Sequence, residues 1–289
     1  MEALNQQLRG AVEAGDAAAV LAALACGADG NAPTHGSSVG FDTSALHAAS
    51  AHGHAECVAA LLEGGADPNR RDSCGRLPLL WAAARSGAGG DAHQAVVTVL
   101  LAGGADPSAH AFTCSFTAAH FAAATDSLHI LRQLLAADPL LALRYDKYAL
   151  TPLGQALHWA RLRGRPGLAV ARCLLEEAPL QPAGEVLESL AEAAARGHNV
   201  SSLYAPLVAR QPLTAAEWAL VPTPCANLAP ALPAVLARSA AEAGLLVQHL
   251  PLADRERLRT AALCLARLQR RHDLSLPLPI SQHLLLAVA

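Results

Sequence analysis

The clearest pattern of apolar and polar positions runs from Ser44 to Asn69. An alanine-rich run from Ala45 to Ala51 leads into a Gly53-His54 break, after which Cys57, Val58, Leu61 and Leu62 recur at i, i+1, i+4 and i+5. The second spacing draws one apolar face of a helix. The small Ala49, Ser50 and Ala51 let a neighbouring helix approach closely. Gly64 and Gly65 then stop the second helix, because glycine enters the left-handed region without a Cβ clash. The pattern predicts two short helices, a tight turn and a glycine exit. Such a unit has too little core to fold alone and needs neighbours stacked on it.

The chain supplies them. Pro78-Leu79 stands thirty-three residues after Leu46 in the next copy, which ends in Gly104-Ala105-Asp106-Pro107. A third copy carries Thr117, Ala119 and His120, then Leu134-Leu135, with Ala136 to Pro139 in place of the glycine exit. A fourth opens on Thr151-Pro152-Leu153 and closes on Leu174-Leu175. Ala11 to Asn31 reads as a first repeat entered late, and Leu190 to Val208 as a last one with its own Gly197-His198 break. That makes six repeats, the terminal two degenerate. Extra length falls at Ser86 to His93 and around Arg161 to Gly167, where loops absorb it. From Gln211 to Pro233 five prolines leave room for one short turn capped by Thr214, and Ala234 to Leu250 reads as a helix stopped by Pro251.

A period of about 33 residues with a Thr-Pro-Leu-His-like start and a Gly-rich exit resembles the ankyrin repeat. The resemblance implies an all-α solenoid of helix-turn-helix repeats with β-hairpin fingers. The expected organisation is an array over residues 1–210, a Pro-rich connector and helix over 211–250, and a separate module over 251–289.

That last module no longer fits the repeat. Leu258 to Arg271 is an amphipathic helix with Leu263, Cys264 and Leu268 on one face. Leu276-Pro277-Leu278-Pro279 must be extended, since each proline pushes its predecessor out of the helical region. A short apolar helix, Ser281 to Val288, follows. The tail resembles a SOCS box, with Arg259-Thr260 standing where that family has a small residue and a leucine. The resemblance implies that Leu263, Cys264 and Leu268 contact elongin C and that Leu276, Pro277, Leu278 and Pro279 contact a cullin. Array and tail together resemble the ankyrin repeat and SOCS box family, substrate receptors of cullin-RING ubiquitin ligases. The partners so implied are elongins B and C, a cullin with its RING subunit, and a substrate protein.

Composition narrows the alternatives. Apolar residues make up 53% of the chain but aromatics only 3%, which suits close-packed helices rather than a strand-rich sandwich. The formal net charge is −3, with no basic block of the kind that grips nucleic acid. No apolar run is long enough to span a membrane, and the first residues lack the pattern of a secretory signal. Seven scattered cysteines without a Cys-x-x-Cys pair read as reduced thiols of an intracellular, cytoplasmic protein. His47, His52 and His54 lie close together, but a Leu-His histidine bonding turn backbone and a Gly-His loop explain them better than a metal site does. Cys264 and His272 are about 12 Å apart along a helix, too far for proton transfer. No phosphate loop, nucleophile elbow or paired-carboxylate site is present, so the expectation is a protein without catalytic residues or cofactors.

Binding must then come from surfaces. The residue after each Leu-His position points toward the concave face, giving Ala48, Trp81, Phe121, Gln155 and Glu192. Trp81 and Phe121 either fill gaps left by irregular repeats or form an aromatic anchor for a partner. On the second reading, Trp81→Ala with Phe121→Ala abolishes capture and leaves the helical spectrum intact. The fingertips add Arg70, Arg71, Asp72 and Arg76, then His110 and Phe112, then Arg144, Tyr145, Asp146 and Tyr148. They serve as a contact surface or as a solvated rim.

Overall fold

Ser44 and Thr117 stand at helix starts, where a side-chain oxygen supplies what the free first-turn N–H groups need. The computed structural model describes residues 2–33, 43–86, 90–163, 168–225 and 227–272, with the backbone alone for 90, 160–163, 262 and 264–272. Two compact units divide after Leu174. The first holds α1 (Glu2–Ala14), α2 (Ala17–Ala25), α3 (Ala45–His52), α4 (Ala55–Glu63), α5 (Pro78–Arg85), α6 (Gly90–Ala102), α7 (Ala118–Ala124), α8 (Leu128–Ala137) and α9 (Pro152–Arg163). Helix α10 (Leu168–Glu177) runs across the division.

These helices form two rows. Helices α1, α3, α5, α7 and α9 are successive neighbours, and so are α2, α4, α6 and α8. Leu46, Leu61, Leu79, Leu100, Leu131 and Leu134 are buried in the core of this unit. Each such leucine contributes roughly 1.5–3 kcal/mol on leaving water. The buried Ala48, Ala49, Ala82, Ala83 and Ala122 leave little side chain between backbones, so adjacent helices pack closely. Gly53 turns the chain between α3 and α4 at φ +83, where a Cβ would press on Ala92.

The expected β-hairpin fingers are not seen as strand ladders among the described residues. Among the described residues there is no strand, and one isolated antiparallel bridge joins His110 to Thr117. Two of the loops, opened by Asp72 and Asp146, are closed by one backbone bond and by the aspartate side chain. The Asp72 N–H donates to the Arg76 carbonyl at 2.9 Å, while the Asp72 carboxylate accepts from the N–H groups of Cys74 and Arg76. Part of the inserted length goes into helix. Helix α6 has 13 residues against 9 in α4, and its added first turn brings His93 Nε2 within 3.1 Å of the Ala51 carbonyl.

The second unit holds α11 (Ala183–Ala195), α12 (Ser201–Arg210), α13 (Ala215–Trp218), α14 (Leu232–Arg238), α15 (Ala240–His249) and α16 (Leu252–His272). Helices α11 and α12 flank the Gly197-His198 break, with Gly197 at φ +90. Helix α12 packs on α14, so this pair shares a unit with the segment beyond residue 210. Thr214 caps α13 as predicted, and Glu217 reaches back to its N–H at 2.7 Å. The single helix expected over 234–250 is instead two. Ser239 is extended at φ −157 and ψ 122, and its Oγ accepts from the Glu242 N–H to start α15. Glu242, buried, holds the break closed by pairing with Arg238 at 2.8 Å and accepting from the Leu213 N–H.

Candidate protein-binding surface

His47 and His120 of the first unit are structural crosslinks. His47 Nδ1 accepts from the Ser44 N–H at 3.2 Å and lies 2.8 Å from Ser44 Oγ. Its Nε2 therefore carries the proton and donates to the Arg76 carbonyl at 3.0 Å, which ties α3 to the next finger. His120 repeats the pattern with Thr117 and the Leu150 carbonyl. Burial disfavours the imidazolium, pushing His47 down to about 4 and His120 in the same direction. His52 and His54 stack with ring centroids 5.8 Å apart. Among the described residues no group of three or more His, Cys, Asp or Glu side chains is placed to hold a metal ion.

A second set of crosslinks went unread in the sequence. Asn31 Oδ1 accepts from the Asp67 N–H at 2.8 Å while its Nδ2 donates to the Gly65 carbonyl. Asn69 does the same to Asp106 and Gly104, and Asn5 accepts from the Asp29 N–H. Each glycine exit is thus pinned by an asparagine or its equivalent one repeat earlier. The only sequence signal is the asparagine that follows two of the Gly-Ala-Asp exits, and Ser108 ends the series.

Trp81 is 5% exposed, which fits the gap-filling alternative and not an open aromatic anchor. Its Nε1 donates to Asp72 Oδ2 at 3.0 Å, and the Arg76 guanidinium lies 4.0 Å from the ring centroid. The indole is spent inside its own repeat, under the finger that precedes it. Gln155 serves the next such finger in the same way, donating to Asp146 Oδ2. Phe121 is half-buried and meets Phe116 edge-on at 5.3 Å.

The aromatic fingertip residues face outward. Phe112 is 67% exposed, Tyr148 63% and Tyr145 50%. Arg71 is exposed, Arg70 and Arg76 half-buried. Asp72 and Asp146 are buried, each within its own loop. In the tail, Leu263 is 46% exposed on α16. The side chains of Cys264 and Leu268, and all of Leu276, Pro277, Leu278 and Pro279, lie outside the described residues. No helix among the described residues is long and apolar enough to cross a membrane.

Against known families, the model for ankyrin repeats matches residues 8–111 in three copies. Those residues coincide with the first helix pairs and their glycine exits, so this part of the chain is an ankyrin-repeat region. No curated protein matches the chain. Ankyrin repeats are in general modules for protein–protein interaction, and their presence over these residues implies a protein partner. The helix pair α7–α8 lies beyond the match, yet its His120 makes the same capping and carbonyl contacts as His47.

Proposed function

We propose that the chain is a non-catalytic substrate-recognition adaptor of an elongin/cullin-RING ubiquitin ligase. The repeats hold a target protein, and the tail docks elongins B and C through Leu263, Cys264 and Leu268 and a cullin through Leu276 to Pro279. The ligase then works by proximity, keeping target lysines near a charged ubiquitin carrier, in the cytoplasm. The alternative is an interaction scaffold whose last helix merely caps the fold.

One observation favours docking over capping. A cap buries an apolar face, whereas none of the described side chains of α16 is buried, and Leu252 and Leu263 are 72% and 46% exposed. The test is affinity purification of the tagged full chain, with Leu263→Ala plus Cys264→Ala as the control. Elongins B and C should come down with the natural chain and be lost from the double variant. A preparation that brings down neither elongin leaves the scaffold as the correct reading.

A further inference from the structure

The three described fingers are not built alike. In two of them a buried aspartate, Asp72 or Asp146, opens the loop and donates its N–H to the carbonyl of Arg76 or Leu150. The middle finger carries one residue more before its helix. Ala111 takes the buried opening place, donating its N–H to the Phe116 carbonyl at 3.0 Å, and Phe112 stands next to it in solvent, where the other two fingers carry Ser73 and Lys147.

Neighbours on both sides hold this projection in place. Arg71 Nη1 donates to the carbonyls of Gly75 and His110 at 2.8 and 2.9 Å, setting its guanidinium 4.8 Å from the Phe112 centroid. A Cβ at Gly75 would overlap the ring, so glycine is required beneath it. From the other side Lys147 donates its Nζ to the Thr113 carbonyl and its N–H to the Cys114 carbonyl, with Nζ 5.1 Å from the Tyr148 ring. The fingers are therefore joined edge to edge by two cations. Among the described residues no carboxylate pairs with Arg71 or Lys147, and Asp72 and Asp146 are turned inward. Arg70 and Arg144 add the same sign, in a chain whose net charge is −3.

We propose that this platform takes an acidic, extended segment of a partner protein, seating one apolar side chain of that segment against Phe112. The proposal rests on the reading of the repeats as a protein-binding surface and is independent of the tail. Field and shape agree: fixed cations lie on either side of an exposed ring, so acidic residues flanking an apolar one meet opposite charge.

The test is fluorescence anisotropy on the full chain with three labelled probes. They are a peptide of glutamates around a central leucine, its lysine counterpart, and a mixed-sequence single-stranded oligonucleotide. The glutamate peptide should bind, weaken with added salt, and lose about tenfold or more in affinity in Phe112→Ala. Arg70→Glu with Arg144→Glu should abolish binding without touching the ring, which covers the case of a poorly folded Phe112→Ala. Equal affinity in Phe112→Ala, no binding of the glutamate peptide, or Phe112-dependent binding of either other probe overturns the proposal. So does a Phe112-dependent dimer in sedimentation. Elongin co-purification is read separately, so failure here is distinguishable from failure of the adaptor reading.

Discussion

The indole Nε1 of Trp81 donates to Oδ2 of Asp72 across 3.0 Å, and Gln155 repeats the contact with Asp146, again nine residues on. At these two positions the side chain after the Leu-His place therefore serves the finger before it. Trp81→Phe keeps the ring and removes the donor, which should cost about 1–2 kcal/mol, because Asp72 stays buried with one partner fewer. Trp81→Ala adds a cavity and should cost about 3–5 kcal/mol. Urea denaturation of the two variants measures both. A Trp81→Phe variant as stable as the natural chain would show that the indole N–H is dispensable.

How far the sequence could be read follows from the same contact. Leu46-His47, Gly53 and the Gly65 and Gly104 exits were legible because helix periodicity and left-handed glycines are local signals. Trp81 was placed on the right helix face, but the element covering that face is a finger loop, and no periodicity reports on loops. The break at Ser239 was missed for a related reason. Serine is neutral within a helix, and what separates α14 from α15 is the Ser239 cap together with the buried Glu242 carboxylate, which bonds Arg238 of α14 and the Leu213 N–H. The exposed Phe112 was named among the fingertips, but the Arg71 bridge that fixes its ring joins two loops, and no local pattern reports on that.

His47 makes stability depend on pH. Its folded value of about 4 lies below the ordinary 6.5, so folding favours the neutral ring. The stabilisation is complete above about 6.5 and is lost as pH falls toward about 4, with His120 acting in the same sense. For His47 alone the difference corresponds to roughly 3 kcal/mol. Denaturation midpoints recorded across this range should fall steeply on acidification. In His47→Gln the midpoint at neutral pH should be lower and the acid slope shallower. An unchanged slope would remove His47 from the account.

Asn69 stitches two repeats with one side chain, accepting from Asp106 and donating to Gly104. Asn69→Ala should cost about 1–2 kcal/mol, and less than a core truncation, because the groups released are exposed to water. The loss should be local. Amide exchange at residues 104–106 should accelerate more than exchange within α3. Uniform acceleration along the unit would mean that the asparagine ladder acts globally.

The third position after each finger-opening aspartate is left-handed, and only one finger uses glycine there. Gly75 has φ +74, while Ala149 has φ +57 and Ser115, in the longer loop, φ +55. Left-handed backbone costs an L-residue about 1–2 kcal/mol, and glycine's greater freedom in the unfolded chain returns part of the difference. Ala149 is exposed, so removing its methyl sacrifices little packing. Ala149→Gly should therefore stabilise the chain by roughly 0.5–1 kcal/mol, read as a higher denaturation midpoint with an unchanged slope. Gly75→Ala should do the reverse and by more, since its Cβ meets both the strain and the Phe112 ring. If glycine at 149 lowers the midpoint, contacts of the Ala149 methyl outweigh the backbone strain at that turn.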